Sequence, residues 1–231
     1  MITFTDTIET KEQALAAANH HREMDMLVRG SYGEDDGRAF KGCSVGCTYK
    51  PFEGKVKASS LHALSEPVHG IPEWLTRLRD ALFESVSENR KDDFHVQFVE
   101  AIPVGVSERQ LEMKVKAPFM VVVLNTALSL FDHGKHPDVK KAVDRSIALW
   151  QRADIGSDGW KKEAAEARAE ASAEASAVRA AASAAWAAAS AAWAAASAVR
   201  AAASAAWAAA SAGSNDHFAD ELLRLLRECK P

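Results

Sequence analysis

The sequence predicts an all-α protein: a compact helical body over residues 1–156, a long alanine-rich heptad-repeat helix over 157–212, and a short amphipathic helix over 213–231. Two observations carry this prediction. From Ser176 to Ser211 the chain repeats a seven-residue unit, SAVRAAA, SAAWAAA, SAAWAAA, SAVRAAA, SAAWAAA. Alanine loses no side-chain entropy on ordering, so this composition is helical before packing helps it. Ahead of the repeat, capping residues and helix-starting prolines stand in front of segments whose apolar residues recur every three or four positions.

Thr10 with Gln13 forms a capping box, and Leu15, Ala18, Met26 and Leu27 make an apolar face running to Gly30. This first helix carries His20, His21, Glu23 and Asp25, metal-capable groups that a solvated polar face explains equally well. Gly33, Asp35, Asp36 and Gly37 mark residues 31–41 as a loop. The loop leads into GCSVGC, Gly42 to Cys47. On a helix, Gly42 and Gly46 share one face and Cys43 and Cys47 the next line, four residues apart. Close packing is one reading, since glycines admit a neighbouring backbone and cysteine behaves as a small apolar residue. Half a metal site completed by His20, His21, His62 or His69 is another, and backbone amides offered to an anion a third. The candidate ligand-binding residues are Arg38, Lys41, Gly42, Cys43, Gly46 and Cys47.

Residues 50–70 read as an irregular segment broken by Pro51, Gly54, Pro67 and Gly70, either a mobile loop or a pocket wall. Pro72 opens a helix with Trp74, Leu75, Leu78, Ala81 and Leu82 along its apolar face. Asp92 to Ala101 reads as a shorter helix with Phe94, Phe98, Val99 and Ile102 inward. Ser107 with Gln110 is a second capping box. The run from Leu111 to Phe131 mixes strand-favouring Val121, Val122 and Val123 with helical length; we read it as a helix, kinked or begun at Pro118 and buried on most sides. Pro137 opens another, with Val139, Val143, Ile147 and Trp150 on its inner stripe. In the last segment Phe218, Leu222, Leu223, Leu225 and Leu226 form an apolar face that needs a surface to cover.

Within the repeat, Arg179, Trp186, Trp193, Arg200 and Trp207 lie on one stripe, since seven residues make about two turns. An exposed tryptophan row promotes aggregation, so the stripe is expected to be an oligomer interface. Two copies running antiparallel about Trp193 put Trp186 opposite Arg200 and Arg179 opposite Trp207. Each guanidinium then faces an indole, a contact of roughly 0.5–2 kcal/mol. Packing of the stripe on the chain's own body is the alternative. Unbroken, residues 160–212 extend roughly 80 Å at 1.5 Å per residue, so this helix must project, fold back or assemble.

Composition narrows the functional classes. The 231 residues carry a net charge of −4 with mixed signs, which leaves no electrostatic footprint for nucleic acid. Three cysteines and no secretory signal at the start imply a reducing cytoplasm. No apolar run is long enough for a membrane span. There is no GxSxG, P-loop, Rossmann glycine pattern, HExxH or paired CxxC, so neither a catalytic residue nor a metal or cofactor site is assigned.

KGCSVGCTYK, GIPEWLTRLRDALFE, the EAIPVG segment and the Ala/Ser tract bearing Trp and Arg occur in that order. The chain in this respect resembles a group of uncharacterised phage and prophage proteins, over most of its length. The resemblance implies a phage origin, hence the host cell cytoplasm, and brings neither an activity nor site residues. The expectation is a non-enzymatic oligomeric binding protein, an anti-defence factor that captures a host protein or a nucleotide-like small molecule. One alternative is a metal- or cysteine-dependent enzyme using His20, His21, Cys43 and Cys47. Another is a structural spacer.

Overall fold

The computed structural model describes residues 1–35, 40–129, 137–152 and 215–231, and in these the chain is mostly helical. The repeat, with Arg179, Trp186, Trp193, Arg200 and Trp207, lies outside the described residues, as does Arg38. The chain divides into two units, residues 1–135 with 212–231, and residues 136–211. The C-terminal helix therefore belongs with the N-terminal body, and the described residues 137–152 fall in the second unit.

α1 (Lys11–Glu23) starts at the predicted capping box: Gln13 N donates to Thr10 Oγ1 and Thr10 N to Gln13 Oε1. The helix ends seven residues before Gly30, a correction to its predicted length. Asp25 takes a positive φ of 51°, and Met26 and Val28 then exchange main-chain hydrogen bonds with Gly42. A helix cannot continue while its backbone pairs with another segment. The predicted 31–41 loop contains a short antiparallel pairing of β1 (Glu34–Asp35) with β2 (Phe40–Lys41).

α2 (Ser44–Tyr49) begins inside GCSVGC. Cys43 is its N-cap, so Gly42 lies ahead of the helix and not on its face. Residues 50–70 fold into turns and α3 (Ser65–His69), with His62 and His69 buried. α4 (Glu73–Ser85) follows Pro72 as predicted and buries Leu75, Thr76, Arg79, Leu82 and Phe83. α5 (Lys91–Ala101) packs along α1 and buries Phe94, His95, Phe98 and Val99. α6 (Glu108–Leu111) starts at the Ser107–Gln110 capping box. A wide π turn over Glu112–Lys116 joins it to α7 (Ala117–Ser129). Pro118 explains the wide turn: its nitrogen has no hydrogen for an α-helical bond, and a π turn accommodates the missing donor. Helix rather than strand is observed through Val121, Val122 and Val123. These valines are half-buried rather than enclosed on most sides.

Residues 215–228 form α9, which covers the body with buried Ala219, Leu222, Leu223, Leu225 and Leu226. Polar contacts set its position. Arg90 makes a two-pronged ion pair with Asp220 at 2.6 and 3.0 Å, and Ser87 N donates to Asp216 Oδ1 at 2.8 Å. The surface that the apolar face of this helix requires is thus the chain's own α4–α5 connection and the residues around Phe119. In the second unit, α8 (Pro137–Trp150) opens at Pro137 as expected and carries half-buried Val143, Ile147 and Trp150.

Candidate functional site

GCSVGC stands where three elements meet, and its glycines admit a backbone. A Cβ on Gly46 would lie 2.1 Å from the carbonyl oxygen of Tyr32, and one on Gly42 3.0 Å from Gly33 Cα. Cys43 and Cys47 are both buried, but their thiols face different surroundings. Cys47 Sγ donates to the carbonyls of Gly42 and Met26 at 3.3 and 3.6 Å. Burial pushes its pKa up to about 11. Cys43 Sγ accepts from Gly46 N and donates to Asp80 Oδ1, both at 3.4 Å. Its pKa is pushed up to about 12, by burial first, with Asp80 adding to it against the Gly46 amide.

Asp80 and Glu84 are one turn apart on α4 and so share a face. The sequence reading did not single them out. Each uses one carboxylate oxygen to hold a neighbouring segment. Asp80 Oδ2 accepts from His62 Nε2 at 2.9 Å and from the Tyr32 hydroxyl at 3.1 Å, and Glu84 Oε2 accepts from Gly30 N at 2.9 Å. One ligand atom from each of Cys43, Asp80 and Glu84 falls within 4.8 Å of the others. Among the described residues this is the group of three or more metal-capable side chains that the fold brings together; His20, His21 and Cys47 are not in it.

Behind Cys43 the core holds a guanidinium. Arg79 is 1% exposed and forms no ion pair with a carboxylate among the described residues. Its Nε donates to Ser44 Oγ at 2.6 Å, and one terminal nitrogen reaches Thr48 Oγ1 and His95 Nδ1 at 3.0 Å each. The ring of Phe98 lies 5.0 Å from Arg79 Cζ. Because a guanidinium can only donate, His95 Nδ1 accepts and its proton is on Nε2, directed at His21 Nδ1 3.3 Å away. Burial, and after it the Arg79 charge, holds His21 down to about 4 and His95 well below the usual histidine range. Both imidazoles are therefore neutral at physiological pH. A parallel chain runs from Glu9 Oε2 to His69 Nε2 at 2.9 Å and from His69 Nδ1 to the Tyr49 hydroxyl at 3.2 Å.

His21 and Glu9 emerge from these two chains at a shallow pocket of about 90 Å³ that Ala14, Ala18, Cys47 and Thr48 help to line. That volume admits a few water molecules, against the roughly 300–1,000 Å³ of pockets that enclose drug-sized ligands. Lys41 is exposed and pairs with Asp25 at 3.6 Å.

The chain matches no family model, no curated protein and no solved structure. Arg79 and His95, the centre of the polar core, were also missed in the sequence. A signal was there for Arg79: Leu75, Arg79, Leu82 and Val86 are spaced by four, three and four, so the arginine occupies a place in the apolar stripe of α4. His95 lies between the inward-facing Phe94 and Phe98 and has no such mark.

Proposed function

We propose that the chain is a non-enzymatic, oligomeric binding protein of phage or prophage origin, acting in the host cytoplasm as an anti-defence factor that occupies a host component. The observation that carries the non-enzymatic part of this reading is the state of the GCSVGC thiols. A cysteine nucleophile requires a lowered pKa and an exposed, electropositive setting. Cys43 and Cys47 are instead buried, with pKa values near 12 and 11. The core histidines give the same direction, since His95 and His69 use both ring nitrogens in internal hydrogen bonds. A polar core joined in this way holds α1, α2, α4 and α5 in one arrangement, which suits a rigid binding platform.

Among the described residues, the pocket beside His21 is well below nucleotide size, so it does not itself supply the site for a nucleotide-like occupant. The repeat supplies the assembly element in this reading, through Arg179, Trp186, Trp193, Arg200 and Trp207. The order of the phage-like motifs supports the origin.

Native mass spectrometry of the purified chain, compared with a variant in which Trp186, Trp193 and Trp207 are alanine, tests it. The expected result is a defined oligomer in the wild type that the triple substitution dissolves. A monomer in both proteins rejects the oligomeric part. A co-purifying small mass of nucleotide size shifts the occupant to that class, and shortening the repeat by one heptad without effect on assembly favours the spacer reading.

A further inference from the structure

We propose that Cys43, Asp80 and Glu84 form the inner ligands of a zinc-type divalent cation site, with His62 and Tyr32 as its outer shell. The donor set is mixed: a sulfur from the N-cap of α2 and two carboxylates from one face of α4. Zinc takes sulfur at about 2.3 Å and carboxylate oxygen at about 2.0–2.2 Å in a tetrahedron, which places those two donors roughly 3.5 Å from each other. Cys43 Sγ and Asp80 Oδ1 are already 3.4 Å apart. Glu84 offers its ligand atom within the 4.8 Å spread of the group.

The second argument is how the carboxylate oxygens are divided. Ligating carboxylates are themselves hydrogen-bonded, and those outer partners fix which oxygen faces the metal. Here Asp80 Oδ2 is taken by His62 and Tyr32 while Oδ1 faces the sulfur, and Glu84 Oε2 is taken by Gly30 N. Among the described residues, one oxygen on each side chain is anchored to a neighbouring segment, and the other oxygen of Asp80 meets the Cys43 thiol. The anchors come from two segments outside α4, residues 30–32 and His62.

Charge is the third. Two carboxylates four residues apart on a helix repel. Among the described residues no lysine or arginine forms an ion pair with either, and the partner of Asp80 is His62. A divalent cation between them removes that repulsion. The thiol favours zinc over magnesium or calcium, which prefer oxygen alone. On binding, the Cys43 thiol gives its proton to solvent and the thiolate sulfur bonds the metal, so one proton is released per ion. Three protein ligands leave a fourth position for water or for a group from a bound partner. Such an ion ties the start of α2 to α4, independently of whether the repeat assembles.

The test uses the full-length chain, stripped with a chelator and titrated with Zn²⁺ against a chromophoric chelator, then with Co²⁺ followed by absorption. The expected result is one ion per chain and a near-ultraviolet thiolate-to-cobalt band that Cys43→Ser abolishes and Cys47→Ser leaves intact. Asp80→Asn and Glu84→Gln weaken binding by about tenfold or more, and His62→Gln by about 10–100-fold. Circular dichroism establishes that each variant is folded; if Cys43→Ser is not, the shape-conserving Glu84→Gln decides. Absence of binding by the folded wild type, affinity unchanged in Glu84→Gln, or a thiolate band that depends on Cys47 overturns the proposal. Oligomeric state does not enter the readout, so this result and that of the assembly experiment are separable.

Discussion

Arg79 is the residue on which the polar interior turns. Burial of a guanidinium is costly, and burial lowers its pKa here. The compensation comes from neutral acceptors, Ser44, Thr48 and His95, and from the Phe98 ring. Burial first, and this charge after it, keeps the neighbouring imidazoles neutral. His21 and His95 have folded pKa values below the 6.5 of a free imidazole, His21 at about 4. The unfolded chain therefore takes up protons near pH 6.5 that the folded chain refuses. Stability from these groups is complete above that pH and falls as pH is lowered through the folded pKa. Urea midpoints measured from about pH 7.5 to about 4.5 should decline across this window, and His21→Gln should flatten the decline.

At the scale of the element, α2 is short and gains its place from what it touches. Its six residues are too few for a helix to stand alone in water. Gly46 lets the Tyr32 carbonyl approach to a distance that a methyl group would occupy. Gly46→Ala should therefore lower the unfolding free energy by about 1–3 kcal/mol, read from urea denaturation, as overpacking does. Because the obstacle is the main chain of Tyr32, a second change Tyr32→Ala should not restore the loss, and a double-mutant cycle will read near-additivity. The Cys43 cap and the Gly46 approach together bring the start of α2 against Asp80.

For the whole molecule, the decisive contact joins the C-terminal helix to the middle of the chain, from Ser85 to Phe119. α9 fills the body's surface with Leu222, Leu223 and Leu226, each at most 1% exposed. Truncation of one such leucine to alanine costs about 2–5 kcal/mol, a large share of the roughly 5–15 kcal/mol available to a domain. Leu226→Ala should lower the thermal midpoint markedly, and deletion of residues 215–231 should leave a body that binds a hydrophobic dye and loses cooperative melting. Differential scanning calorimetry distinguishes the two outcomes. Survival of a cooperative transition after deletion would show that α9 is an accessory to the body rather than part of it.

The sequence by itself determined the helical class, both capping boxes, the helices opened by Pro72 and Pro137, and the apolar stripe of the last segment. Each of these depends on residues within a turn or two of one another, where backbone hydrogen bonding and side-chain periodicity act directly. Tertiary structure decided where α1 stops, because the chain after it pairs with Gly42, and it decided that α9 covers its own body. It also assembled the candidate site. Cys43 lies 37 positions from Asp80, and Ser44 lies 51 from His95. GCSVGC was visible as a motif, but its partners were not, since one carboxylate on a helix surface resembles any other until packing selects which face is turned inward. Contacts between residues so far apart in the chain are chosen by how whole elements fit together, and no local pattern encodes that choice.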